Sequence, residues 1–82
     1  MTPDVIEVKA LPNFVIQATF ADGEVRCLDM HPYLDYPAFA ELREASLFMR
    51  AHVANGVVAW NEEIDLSPDI LYLRGVCVTR AS

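Results

Sequence analysis

The stretch FVIQATFADGEVRCLDM, from Phe14 to Met30, sets apolar-rich runs on either side of an Asp22-Gly23 pair. Such a pair supplies the positive φ values that a tight loop needs, so the stretch predicts an antiparallel hairpin closed by two residues. With that loop, Phe20 faces Val25, Ala18 faces Cys27 and Ile16 faces Asp29. Phe14, Ile16, Ala18, Phe20, Val25 and Cys27 then share one face, the expected core face. Gln17, Thr19 and Arg26, with Val15, Leu28 and Met30, take the other.

Moving outward, residues 5–11 alternate Ile6, Val8 and Ala10 with Glu7 and Lys9, the period of a half-buried strand. Leu11-Pro12-Asn13 ends it, since Pro12 cannot donate to a ladder and Asn13 suits a turn. Downstream, residues 31–48 read as a loop and then a short helix, with Pro37 in its first turn and Phe39 and Leu42 on one side. A helix of about two turns is unstable alone and must lie on the sheet. A second hairpin follows, with Asn55-Gly56 at its tip and Val53 opposite Val58. Met49, Ala51, Val53, Val58 and Trp60 share its apolar face, and Arg50 and His52 fall on the other. Ser67, Pro68 and Asp69 then spell a helix start, Leu66 is placed to staple onto Leu71, and Gly75 suits the stop. Residues 76–82 read as a brief strand or a frayed tail. The whole is one α+β domain over residues 1–82, with its core in about 4–75: an N-terminal strand, two antiparallel hairpins and two short helices in the order β-β-β-α-β-β-α.

At 82 residues the chain is near the size at which folding hides only about 60% of the unfolded surface. A hydrophobic content of 54% against 22% charged nonetheless places it among packed globular chains and far from disordered ones. Twelve acidic residues against six basic ones give a net charge of −6, which opposes phosphate backbones and attracts basic surfaces. The expectation is therefore no direct nucleic-acid partner and a basic protein partner, with homodimerisation through strand edges open. No secretory leader or membrane-spanning run is evident, which points to a cytoplasmic protein with no membrane partner. Cys27 and Cys77, far apart and outside any CxxC motif, read as reduced, largely buried thiols.

Candidate chemistry is sparse. Asp29 and His31 with Asp35 suggest a metal site, but no recognised ligand spacing is present, so no metal is expected and hydrogen bonding in the loop is preferred. Cys27 on a core face would be an inert thiol rather than a nucleophile. Glu62, Glu63, Asp65 and Asp69 match no calcium loop and read as a negative, solvated edge. Tyr33 and Tyr36, with Asp35 between, are aromatics available for contact, and Trp60 ends an apolar run beside the acids. The candidate interaction surface is thus Tyr33, Asp35, Tyr36, Trp60, Glu62, Glu63, Asp65 and Asp69. No catalytic or cofactor-binding residue is expected.

These segments resemble the small bacterial family known as domain of unknown function 2442. Its signatures are an F-DG-V--D hairpin, an F--L helix and a closing W-NG-D--P--LY stretch. The matching residues are Phe20, Asp22, Gly23, Val25, Asp29, Phe39, Leu42, Phe48, Trp60, Asn61, Asp65, Leu66, Pro68, Leu71 and Tyr72, and the resemblance spans about residues 4–74. Glu62-Glu63 departs from the small pair of the signature and adds charge there. The resemblance implies an α+β domain without established catalytic activity. It also implies a small stand-alone protein encoded beside another small family, in the manner of toxin and antitoxin pairs, or fused ahead of a helix-turn-helix segment, of which no sign is read in these residues, so that any regulatory role is expected to act through a partner. Together these readings give a non-catalytic interaction module, the antitoxin-like acidic partner of a small basic protein. The alternative is a small-molecule-sensing or regulatory domain whose pocket lies between residues 31–36 and 60–65, and an enzyme ranks last.

Overall fold

Two antiparallel sheets share one core in the computed structural model of the protein, which describes residues 2–79. The first sheet comprises β1 (Val5–Leu11), β2 (Val15–Phe20), β3 (Val25–Asp29) and a final strand, β7 (Val76–Thr79), in the order β1-β2-β3-β7. The second comprises β4 (His52–Ala54), β5 (Val57–Ala59) and β6 (Asp65–Leu66), in that order. Helices α1 (Ala45–Phe48) and α2 (Pro68–Arg74) complete the α+β architecture. Strands β6 and β7 are additions to the order read from the sequence, residues 76–79 are a strand rather than a tail, and Cys77, expected to be buried, is exposed on this end strand of the sheet. Residues 80–82 of the predicted tail lie outside the described residues.

The first hairpin has a three-residue loop, not the two-residue one expected. Gly23 N–H donates to Phe20 O (2.9 Å) and Phe20 N–H to Glu24 O (2.8 Å), with Gly23 at φ +92°. This is a turn followed by a left-handed glycine, a bulged geometry that an Asp-Gly pair serves as well as the tighter loop. The register consequently slips by one: Ala18 pairs with Arg26, Gln17 with Cys27 and Ile16 with Leu28. A slip of one exchanges the faces of β3. Leu28 and Met30 enter the core, whereas Val25 and Cys27 are half-buried on the opposite face, where the Cys27 thiol lies 3.8 Å from Gln17 Oε1. Ile16, Ala18 and Phe20 are fully buried as expected.

A second correction concerns β1. Its pairing shifts between Val5 and Glu7, so Ile6 is ejected to 60% exposure and Val5 takes the inward place at 2%. The cause lies at the far hairpin: Val5 N–H donates to Gly56 O and Asp4 O accepts from Ala21 N–H, which ties the start of β1 to both hairpin tips.

The second hairpin follows the reading. Val53 pairs with Val58 and Ala54 with Val57, and Asn55 (φ 53°) and Gly56 (φ 81°) form the two-residue loop. Met49 is not on its apolar face, because residues 45–48 are a helical turn rather than strand and leave Met49 58% exposed. Residues 31–48 are more helical than expected and come in pieces: 3-10 turns at His31–Asp35 and Pro37–Arg43 precede α1. Pro32 and Pro37 at the starts and the extended Tyr36 and Glu44 between keep each piece short. Helix α2 begins as read, with Asp69 N–H donating to Ser67 Oγ (3.1 Å) and Leu66 and Leu71 both fully buried.

Candidate functional site

The predicted surface separates into groups with different work. Trp60 leaves it altogether: it is 3% exposed, and its indole N–H donates to Phe48 O at 2.9 Å, which joins β5 to α1 through a satisfied buried donor. Asn61 Oδ1 accepts from the N–H groups of Glu63 (2.8 Å) and Ile64 (2.9 Å), and Trp60 N–H donates to Ile64 O. That tight turn holds Glu62 and Glu63 outward, both exposed, with Asp65 exposed on β6. Asp35 is bound to Arg43 (2.9 Å) in a fully solvated pair, and Asp69 is exposed in the first turn of α2.

The suggested metal ligands do not converge. Asp29 Oδ1 accepts from His31 N–H (3.0 Å) and, being acceptor-only, from His31 Nδ1–H (2.6 Å), while Asp35 is taken by Arg43. The two His31 bonds, backbone first, hold the Asp29 carboxyl below its ordinary range. Among the described residues no three His, Cys, Asp or Glu side chains are placed to hold an ion. Burial pushes the Cys27 thiol up, away from nucleophilic use.

What does come together is a cleft of about 250 Å³ lined by Pro32, Tyr33, Tyr36, Ile70 and Arg74. Its aromatic wall follows from helix type. The 3-10 turn at His31–Asp35 carries Tyr33, its closing bond runs from Tyr36 N–H to Tyr33 O (3.1 Å), and the two rings stand with centroids 6.0 Å apart at 87°. Tyr33 also meets Phe39 edge-on (6.4 Å) and packs against the core, so it is anchored, whereas Tyr36 is 56% exposed. The opposite wall comes from α2, where Ile70 and Arg74, four apart, share a face. Asp69, one residue off that face, does not line the cleft. The predicted pocket therefore keeps its first wall, residues 31–36, and exchanges its second, residues 60–65, for α2.

Sequence reasoning missed Pro32, Ile70 and Arg74. The i, i+4 pair on the helix was visible, but nothing in the chain said that α2 would meet the segment containing Tyr33. Among the described residues the basic side chains divide unevenly: Arg26 is held by Glu24 (2.5 Å) and stacks over Tyr72 (4.3 Å), and Arg43 is held by Asp35. Arg74 has neither an acidic partner nor a ring beneath it.

Fold and cleft together define a small α+β domain with a shallow, tyrosine-walled cleft. The chain belongs to the family described as "Protein of unknown function (DUF2442)", whose profile matches residues 5–76. No curated protein matches it. Its fold is similar to that of a protein from Nitrosomonas europaea ATCC 19718 named "Putative DNA Binding Protein NE0471", with a TM-score of 0.74 at 29% identity, over 85% of this chain and 46% of that one. This chain thus spans about half the length of that protein.

That name overturns the expectation of no nucleic-acid partner, and the basic protein partner inferred from the same net charge is left without support. A net charge is a sum over the whole surface. It does not report where individual cations stand, and Arg74 stands beside aromatic rings, the combination that nucleic-acid surfaces use. No helix among the described residues is long and apolar enough to cross a membrane.

Proposed function

We propose that the protein is a non-catalytic binding module acting within a DNA-associated regulatory system, with the cleft between the tyrosine-bearing turn and α2 as its contact face. The observation that carries this is the cleft itself, where Tyr36 stands more than half exposed and Arg74 is left without a partner among the described residues. Neither is needed to close the core. The non-catalytic part is supported by how the polar side chains are used: Asp22, Asp29, Asn61 and Ser67 each accept a backbone N–H in a turn or cap, which leaves them little chemistry for a substrate. The DNA-associated setting is supported by the name of the Nitrosomonas europaea protein, of which this fold is one part, and implies a cytoplasmic location. An antitoxin-like role would be one form of such a module.

The test is a ¹H–¹⁵N shift titration of the full 82-residue chain with a mixed-sequence DNA duplex and with one of its single strands, each at low and at physiological salt. Shifts gathered on the amides of Tyr33, Tyr36, Ile70 and Arg74, weakening as salt rises, are the expected result. Shifts centred on the 61–65 loop would move the contact face elsewhere, and silence toward both nucleic acids would remove the DNA-associated setting.

A further inference from the structure

We propose that the cleft is a specific site for a small planar aromatic monocarboxylate, an inference that rests on reading this cleft as the module's contact face. Three features of the cleft select that chemistry.

The first is size. Pockets for drug-sized molecules span about 300–1,000 Å³. A volume of about 250 Å³ sits below that range and suits a ligand of one or two rings with a short acid arm rather than one of drug size. The second is the aromatic wall. Tyr33 and Tyr36, at 87° and 6.0 Å, form a corner, so a flat ring lying on one meets the other edge-to-face, the geometry aromatic pairs prefer. Tyr33 is anchored by Phe39 and the core, and Pro32 beside it stiffens the backbone.

The third is Arg74. Its guanidinium is charged at every working pH and presents a planar fork that a carboxylate matches with two parallel hydrogen bonds. In a chain with twice as many acids as bases, Arg26 and Arg43 each have an acidic partner. Lys9, Arg50 and Arg74 have none among the described residues, and of these three Arg74 alone lines the cleft. The nearest acid in sequence, Asp69, lies off the cleft-facing side of α2. A carboxylate would complete Arg74. Arg74 is the one charged residue lining the cleft among the described residues, so it balances a monoanion and leaves a phosphate dianion half compensated.

The test is calorimetric and NMR titration of the full chain with benzoate, against benzamide, cyclohexanecarboxylate and a deoxynucleoside monophosphate. Benzoate is expected to shift the amides of Tyr33, Tyr36, Ile70 and Arg74. Benzamide, lacking the charge, and the Arg74→Gln variant are each expected to lower affinity by about tenfold, and Tyr36→Ala by about fivefold. Arg74→Lys should fall between wild type and Arg74→Gln, since it keeps the charge and loses the fork. Both positions are exposed, and an unchanged dispersed spectrum verifies that each variant folds. Benzamide or cyclohexanecarboxylate binding as well as benzoate, Arg74→Gln binding at wild-type strength, or no shift at saturating benzoate would overturn the assignment. Tighter binding of the nucleotide would overturn it too, in favour of phosphate. A cleft silent to benzoate whose amides still move with DNA would remove this inference and leave the proposed function standing; movement with benzoate alone would do the reverse to the DNA-associated setting.

Discussion

At the scale of single residues, the positions that carry the family signature are largely explained by turns and contacts within the fold. Asp22 Oδ1 accepts from Glu24 N–H (2.9 Å) and its Oδ2 from the Tyr72 hydroxyl (2.9 Å), so two signature residues 50 apart in sequence join the first hairpin tip to α2. The Glu24 amide first, opposed by burial and aided by the Tyr72 hydroxyl, holds the Asp22 carboxyl below its ordinary range, and the Asp22 bond pushes the Tyr72 hydroxyl up. The signs follow. Asp22 and Asp29 stabilise the fold fully above the unfolded carboxylate value of about 3.9, and that contribution is lost as pH falls through their lower folded values. Tyr72 contributes below the unfolded tyrosine value of about 10 and loses it as pH rises through its higher folded value. Urea midpoints measured against pH should therefore be level near neutrality and fall at both extremes; Tyr72→Phe should remove the alkaline fall assigned here and weaken the acid one. The two turn glycines separate another pair of effects. Both have positive φ, but a Cβ at Gly23 meets nothing within 4 Å, whereas at Gly56 it would lie 2.8 Å from Asp4 Cγ. Gly23→Ala should cost about 1–2 kcal/mol for its backbone alone, and Gly56→Ala measurably more by the same unfolding experiment, with part of the excess returned when Asp4 is also replaced by alanine.

Elements were legible where a local signal and the tertiary context agreed. The Asn55-Gly56 loop and the Ser67 cap were read to the residue, because each is set by residues within a few positions of it. The failures arose where a distant partner decided. Alternation placed Ile6 inside and Val5 at the margin; the bulge, fixed by bonds from Val5 and Asp4 to the two hairpin tips, reversed them. Likewise an Asp-Gly pair is compatible with loops of two or three residues, and the burial of Leu28 and Met30 in the core, with Cys27 on the opposite face, goes with the longer one. Residues 31–48 carry apolar spacing too short for any single helix and were resolved only by burying Leu34, Leu42 and Phe48. The reversed β1 is directly testable. Val5→Ala should lower stability by about 2 kcal/mol, whereas Ile6→Thr should change it by no more than about 0.5 kcal/mol, a ranking opposite to the one simple alternation gives.

Across the whole molecule, one cluster that includes Phe20, Phe48, Trp60, Leu66 and Leu71 binds both sheets and α2, and the Cα radius of gyration of 11.8 Å is that of a well-packed chain of this length. The candidate site was half legible. Tyr33 and Tyr36 could be picked out as aromatics in a turn segment, but Ile70 and Arg74 reach them only because β6 and the Leu66–Leu71 staple set the start of α2, information spread over the whole fold. The acidic 61–65 loop looked more functional in sequence than the turn it forms. Trp60 thus belongs to folding, and Tyr36 and Arg74 are the proposed binding pair. Equilibrium urea unfolding of three variants measures that division most directly. Tyr36→Ala and Arg74→Gln are predicted to stay within about 0.5 kcal/mol of wild type, while Trp60→Ala loses about 3 kcal/mol or more; cleft variants that destabilise the chain as much as Trp60→Ala would contradict it.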